Sequence, residues 1–278
     1  TILTGMISTN SGIIKNESII NVNENNSIAM VVMPANPAAR LTTAGVGTMT
    51  GSSQINVTRE NSIGVANFGT FTQTGGTIDV SGKDSIGVYA KDTVSSTLIQ
   101  NSIVNSKNGA VGFYADGSAG NESTIKIDGV TSNIGDGGLL FFNYTGTGTG
   151  QVGKFNILSS GMTANILSGG VAFYNRGNIG SEANFLNMVN GNNLTLNMSS
   201  GSRLFVFDNP AITENLSSIP SLGGVPSISN SSGTATITVN GSDYKYMTAN
   251  KATLNIDQNV NLDTSGDSYY KVDFFSTN

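Results

Sequence analysis

The chain has 278 residues, a formal net charge of −5, 11% charged residues, 35 glycines and no cysteine, histidine or tryptophan. That inventory excludes a disulfide framework, cysteine-based zinc sites, thiol nucleophiles and Ser-His-Asp catalysis. The 13 basic residues are scattered singly, whereas nucleic-acid binding needs clustered Lys and Arg to displace counterions from phosphates.

No apolar run reaches the roughly 18 residues that a membrane helix needs. Thr1-Ile2-Leu3-Thr4-Gly5 lacks the basic start and apolar stretch of a signal peptide. The chain therefore reads as soluble or as a processed piece of something longer.

In chain order, one apolar phrase keeps returning: SIAMVV around Ile28, NSIGVAN around Ile63, DSIGVYAKD around Ile86, NGAVGFYADG around Val111, GGLLFFNY around Leu139, GGVAFYN around Val171 and SRLFVFDN around Leu204. Successive anchors lie 35, 23, 25, 28, 32 and 33 residues apart. The shorter steps suit one coil of a parallel β-helix, and the longer ones suit coils with extra loop residues. Two residues beyond each anchor come Met30, Val65, Val88, Phe113, Phe141, Phe173 and Val206. Period two predicts that anchor and second residue face inward together, with Gly64, Gly87 and Gly112 leaving the other face bare.

Between the phrases run QINV (54–57), TIDV (77–80), TIKI (124–127), LTLNM (194–198), TITV (236–239) and TLNI (253–256), each alternating apolar and polar residues. Gly, Asn, Ser and Asp punctuate them and supply the positive φ that tight corners require. All five prolines fall in 34–50 and 209–233. Proline cannot donate to a central ladder, so both stretches are expected to leave the sheet, with the Gly-Thr run at 144–153 as a third loop. The fold class expected is all-β: a single right-handed parallel β-helix, or solenoid, over 1–278 with extruded loops.

Catalytic chemistry is hard to assemble from these residues. Gly266-Asp267-Ser268 is followed by Tyr269 where a serine-protease segment has glycine, and no histidine base exists. Carboxylates could serve a polysaccharide-active enzyme, but Asp79, Asp84, Asp92, Asp116, Asp128 and Asp136 fall mostly at turns. Asp257 to Asp263 has alternating Asn and Asp but lacks the turn glycine and terminal Glu of a calcium loop. No enzyme activity, metal or cofactor is expected. Asn-x-Ser/Thr triplets at Asn56, Asn121, Asn193 and Asn240 are expected by chance in so Asn-rich a chain.

Tyr89, Tyr114, Phe142, Tyr174 and Phe207 share one place after the apolar phrase and are expected to stack as an internal or corner ladder. The binding candidates are aromatics near presumed loops, Tyr144, Tyr244 and Tyr246, and Arg40 inside the first proline-rich stretch, placed to meet an acidic partner.

The S-I-G-[IV]-[YA]-[AN] phrase and the [ST]-x-I-x-[VI] strands, in an Asn-, Gly- and Ser-rich frame without cysteine, resemble the passenger region of type V autotransporters, especially the large fusobacterial outer-membrane adhesins. The resemblance implies a right-handed parallel β-helix displayed outside the cell and tethered to the outer membrane through a C-terminal β-barrel that this sequence does not contain. It implies a non-enzymatic adhesin segment, monomeric, whose partners are glycan or protein receptors on host cells or other bacteria. A polysaccharide-active enzyme and a passive spacer are the alternatives. Tyr269 to Phe275 shows no polar cap, so further coils are expected to follow.

Overall fold

In a computed structural model of the chain, strands succeed one another in triplets, and each strand lies parallel to its counterparts one coil earlier and one coil later. The structure describes residues 2–91, 96–117, 123–144, 153–176, 189–191, 193–208, 213–216, 237–241, 243–250, 253–256 and 270–273. The first sheet has ten strands, among them Ile63–Asn67, Ile86–Lys91 and Val111–Asp116. The second has seven, including Thr70–Gln73 and Ser96–Gln100, and the third has eight, including Thr77–Val80 and Ile103–Ser106. This is the parallel β-helix expected from the repeat, and Ile63, Ile86 and Val111 do lie in register.

The core is built of columns. Val65, Val88, Phe113, Phe141, Phe173 and Phe205 stack above one another in the first sheet, all buried. The rings of Phe141, Phe173 and Phe205 follow at 5.5 and 5.1 Å, and Phe155 of the second sheet closes on Phe141 at 4.4 Å. Ile55, Ile78 and Val104 form the facing column of the third sheet. Such phenylalanines bury large apolar area and add a geometric preference for offset contact.

The structure corrects the inward assignment of the anchor residues. Ile28, Ile63, Ile86 and Leu139 are only partly buried, whereas the residue after each anchor is fully buried. A Cβ at Gly87 would lie 3.4 Å from Ile78 Cγ2 and 3.5 Å from Val104 Cγ1, so glycine stands on the inner side. Two consecutive residues facing the core break the period of two; the strand bends there, and register pairs skip that residue. At Gly64 the same Cβ would come within 2.7 Å of the Gly87 carbonyl oxygen, which accounts for glycine at that level, while the coil before it carries the small Ala29 there. Later coils carry Leu140, Ala172 and Leu204 at this place.

The last phrase is also displaced by one residue. Arg203, not Leu204, pairs with Val171, and Phe205, not Val206, pairs with Phe173. A charged residue at the anchor hides the true register from a search for apolar residues.

Corners are stacked as regularly as strands. Between the third sheet and the first, Asn26, Asn61, Asp84, Gly109, Gly137, Gly169 and Gly201 all adopt positive φ, between 50° and 83°. Asn and Asp tolerate this left-handed region and glycine enters it freely, so the three residue types interchange here. The N–H of Asp84 donates to Gly109 O at 3.1 Å, that of Gly109 to Gly137 O at 2.9 Å and that of Gly137 to Gly169 O at 3.0 Å, carrying the ladder round the bend.

Phe141→Ala is expected to lower unfolding free energy by about 3–5 kcal/mol in chemical denaturation, by emptying the middle of the phenylalanine column. Gln73 lies fully buried between Met49 and Ile99, with neither amide atom hydrogen-bonded. Gln73→Met should therefore raise the denaturation midpoint, by about 1–3 kcal/mol of stability.

Candidate functional site

Coil length varies mostly at one edge. Turns from the second sheet to the third stay short through the first seven coils, for example 74–76, 101–102 and 192–193, and those from the third to the first occupy 23–26, 58–62, 81–85, 107–110, 135–138, 167–170 and 199–202. Connections from the first sheet to the second differ far more: 33–45, 68–69, 92–95, 117–122, 145–152 and 177–188. The irregular spacing of the repeat thus arises at the edge where the first sheet hands over to the second. In the eighth coil the long connection lies elsewhere, at 217–236, between Thr213–Leu216 and Ile237–Gly241.

Of the first proline-rich stretch, only 33–45 projects; Val46–Met49 rejoins the second sheet in register with Ile13–Asn16 and Thr70–Gln73. Alternating Val46-Gly47-Thr48-Met49 contains no proline, so nothing prevents its pairing. A 3-10 turn, Pro37–Ala39, is capped by Asn36, whose side chain accepts from the Ala39 N–H at 3.4 Å. Asn36 and Leu41 close the base as an antiparallel bridge. Arg40 sits at the exposed tip with φ 62°, its N–H donating to Pro37 O at 3.0 Å. Thr43 and Ser11 share a hydroxyl contact of 2.6 Å that ties this loop to the preceding coil.

The other binding candidates fare differently. Tyr144 ends Leu139–Tyr144 on the same edge, in register with Asp116 and Arg176; its side chain and that of Tyr246 lie outside the described residues. Tyr244 is 1% exposed, so its ring belongs to the core and offers no surface to a sugar. Arg40 is exposed and Tyr244 is buried, so these two do not share a surface. Most of 144–153 and 209–233 also lies outside the described residues, as does the Asn/Asp stretch from Asp257 to Asp263.

The aromatic column lies on the outer face of the first sheet, half-buried rather than internal. Phe68, Tyr89, Tyr114, Phe142 and Tyr174 succeed one another at 5.9, 5.0, 4.6 and 5.5 Å. The first three contacts are edge-to-face and the last is stacked, so the rings spend their faces and edges largely on one another. Phe207 is not in this column, because Val206 takes the place above Tyr174.

Two tyrosine–carboxylate pairs mark the edge, and the sequence reading missed them. The Tyr89 hydroxyl donates to Asp116 Oδ2, and the Tyr174 hydroxyl donates to Asp208 Oδ2. Asp116 is buried, and its backbone stands in register between Lys91 of the preceding coil and Tyr144 of the next, which in turn pairs with Arg176. The signal was a Tyr at the fourth place of one phrase and an Asp at the sixth place of the next, legible only once the coils are in register. Burial pushes the Tyr89 phenol well above its usual value, and the neighbouring Asp116 carboxylate adds to the rise.

Among the described residues no group of three His, Cys, Asp or Glu side chains comes together to hold a metal, and no helix is long and apolar enough to cross a membrane. No protein-family model, curated protein or solved structure matches the chain.

A phenol whose folded pKa is raised contributes stability that is present below its unfolded value near 10 and lost as pH climbs through the folded value. Thermal unfolding followed across the alkaline range should fall more steeply above about pH 10 in the native chain than in Tyr89→Phe. Equal slopes would show that Tyr89 does not titrate differently in the folded state.

Proposed function

We propose that the chain is a non-enzymatic attachment segment: the β-helical stalk or tip of a type V autotransporter passenger, displayed at a bacterial surface, monomeric, and meeting glycan or protein receptors on host cells or other bacteria. The observation that carries this reading is the concentration of variable connections on one edge of an otherwise repetitive rod. A scaffold stabilised by nearest-neighbour coils tolerates insertion at a surface corner, and such loops are where recognition is usually placed. The exposed Arg40 tip, held by its own turn and by Thr43, is the described part of that edge with the clearest form of a contact loop.

The shortest connection supplies its own control. Phe68-Gly69 joins the first sheet to the second with two residues, so replacing 33–45 by a comparable link should leave the coil intact. Binding of the chain to epithelial or immune cells should drop at least about 10-fold while β-sheet circular dichroism is unchanged, as loss of a contact worth 1.4 kcal/mol or more requires. Undiminished binding after 33–45, 92–95, 117–122, 145–152 and 177–188 have all been shortened would defeat the assignment of recognition to this edge.

A further inference from the structure

The outer face of the third sheet carries one polar row over eight levels, from Asn21 to Asn240, and beside it a threonine row over the last four. In one row, amides hydrogen-bond from coil to coil: Asn56 Nδ2 donates to Asn21 Oδ1 at 2.9 Å, Asn105 to Asp79 at 2.7 Å, Asn133 to Asn105 at 3.2 Å, Asn165 to Asn133 at 2.9 Å, Asn197 to Asn165 at 2.9 Å and Asn240 to Asn197 at 3.0 Å. Two residues earlier in the last four strands, Thr131, Thr163, Thr195 and Thr238 stand in register, and the row ends where Thr131 meets the exposed Ile103. Ala164, Leu196 and Val239, between the rows, point into the core and hold them on a packed wall.

An asparagine amide has two N–H donors and two oxygen lone pairs. The ladder uses one of each at Asn165 and Asn197, so these two levels keep a second donor and a second acceptor for a partner, in a rotamer already fixed by their neighbours; Asn105 keeps a donor, its Oδ1 already accepting from both the N–H and Nδ2 of Asn133. Fixing the rotamer beforehand removes part of the entropic penalty of binding. Within the two rows Asp79 is the one charged residue, so the face suits a neutral, hydroxyl-rich partner rather than a polyanion or a basic peptide. Its levels recur at the strand spacing of about 4.8 Å, close to the length of one ring in an extended β-1,4-linked hexose chain.

We propose that this face binds a neutral β-linked polysaccharide laid along the helix axis, with one sugar opposite each coil. Single contacts of this type are weak; summed along a rigid array they become selective for long chains. The inference stands apart from the variable edge, so a chain that fails here and still binds cells leaves the attachment reading untouched.

Isothermal titration calorimetry of the full chain with cello- and chito-oligosaccharides of two to eight sugars tests it. Affinity for one series should rise about 10²-fold from the disaccharide to the hexasaccharide. A variant carrying Thr131→Lys, Thr163→Glu and Thr195→Lys blocks the row with bulk while pairing opposite charges across strands; it should lose that binding with its β-sheet circular dichroism intact. Asn156→Lys, on the outer side of the second sheet, should bind like the native chain. If the triple variant does not fold, Thr163→Glu alone carries the comparison. No binding in either series, affinity independent of length, undiminished binding by the folded variant, or a dimer in sedimentation that the variant dissolves would each overturn the proposal.

Discussion

The structure depends on one constraint: every parallel strand must pair with the coil before it and the coil after it, in register, on all three sheets. Parallel pairing gives the backbone of each strand partners in both neighbouring coils, and it forces like positions to lie over like positions. A residue type that works at one level is thereby presented with the same neighbours at the next. The phenylalanine column from Phe113 to Phe205, the left-handed corner from Asn26 to Gly201 and the amide row from Asn21 to Asn240 are three results of that single rule. They also explain the low charge of the chain. Stacked carboxylates or ammonium groups would repel at each level, whereas stacked amides donate to and accept from one another.

The rule divides the molecule by purpose. Positions inside the coil and at two of its corners are held by neighbours on both sides, and any change there is felt one coil away. The corner from the first sheet to the second is freer, because strands on either side are already paired and the link between them need only span the gap. Connections from Phe68-Gly69 up to 33–45 are accommodated with the flanking strands still in register. Stability and variability in length are thus assigned to different residues, and a connection at this corner can change without disturbing the core.

Much of this was legible beforehand, because repetition is visible in a single sequence. The period, the strand phrases and the positive-φ punctuation each state a local preference, and all of them agree with the stack. What escaped were features that exist only after stacking. The inward bend at Gly64 and Gly87 depends on how close the next coil's carbonyl approaches, which no alternation pattern encodes. Arg203 at an anchor position looked like a polar flank, and the apolar Leu204 drew the register one residue too far. Tyr244 looked like a loop aromatic and is core, because its burial is set by a neighbouring coil rather than by its own surroundings. The Tyr89–Asp116 pair joins residues of successive coils, and only the register makes them neighbours.

The direction of the backbone ladders has a mechanical consequence. Hydrogen bonds between coils run along the rod, so tension applied to its two ends loads successive coils in series, and the weakest interface opens first. Releasing one coil such as the step from Ile86 to Val111 frees on the order of 80 Å of chain, while the remaining coils keep their columns. A tether built this way lengthens in discrete steps under pull and can rewind when the load falls.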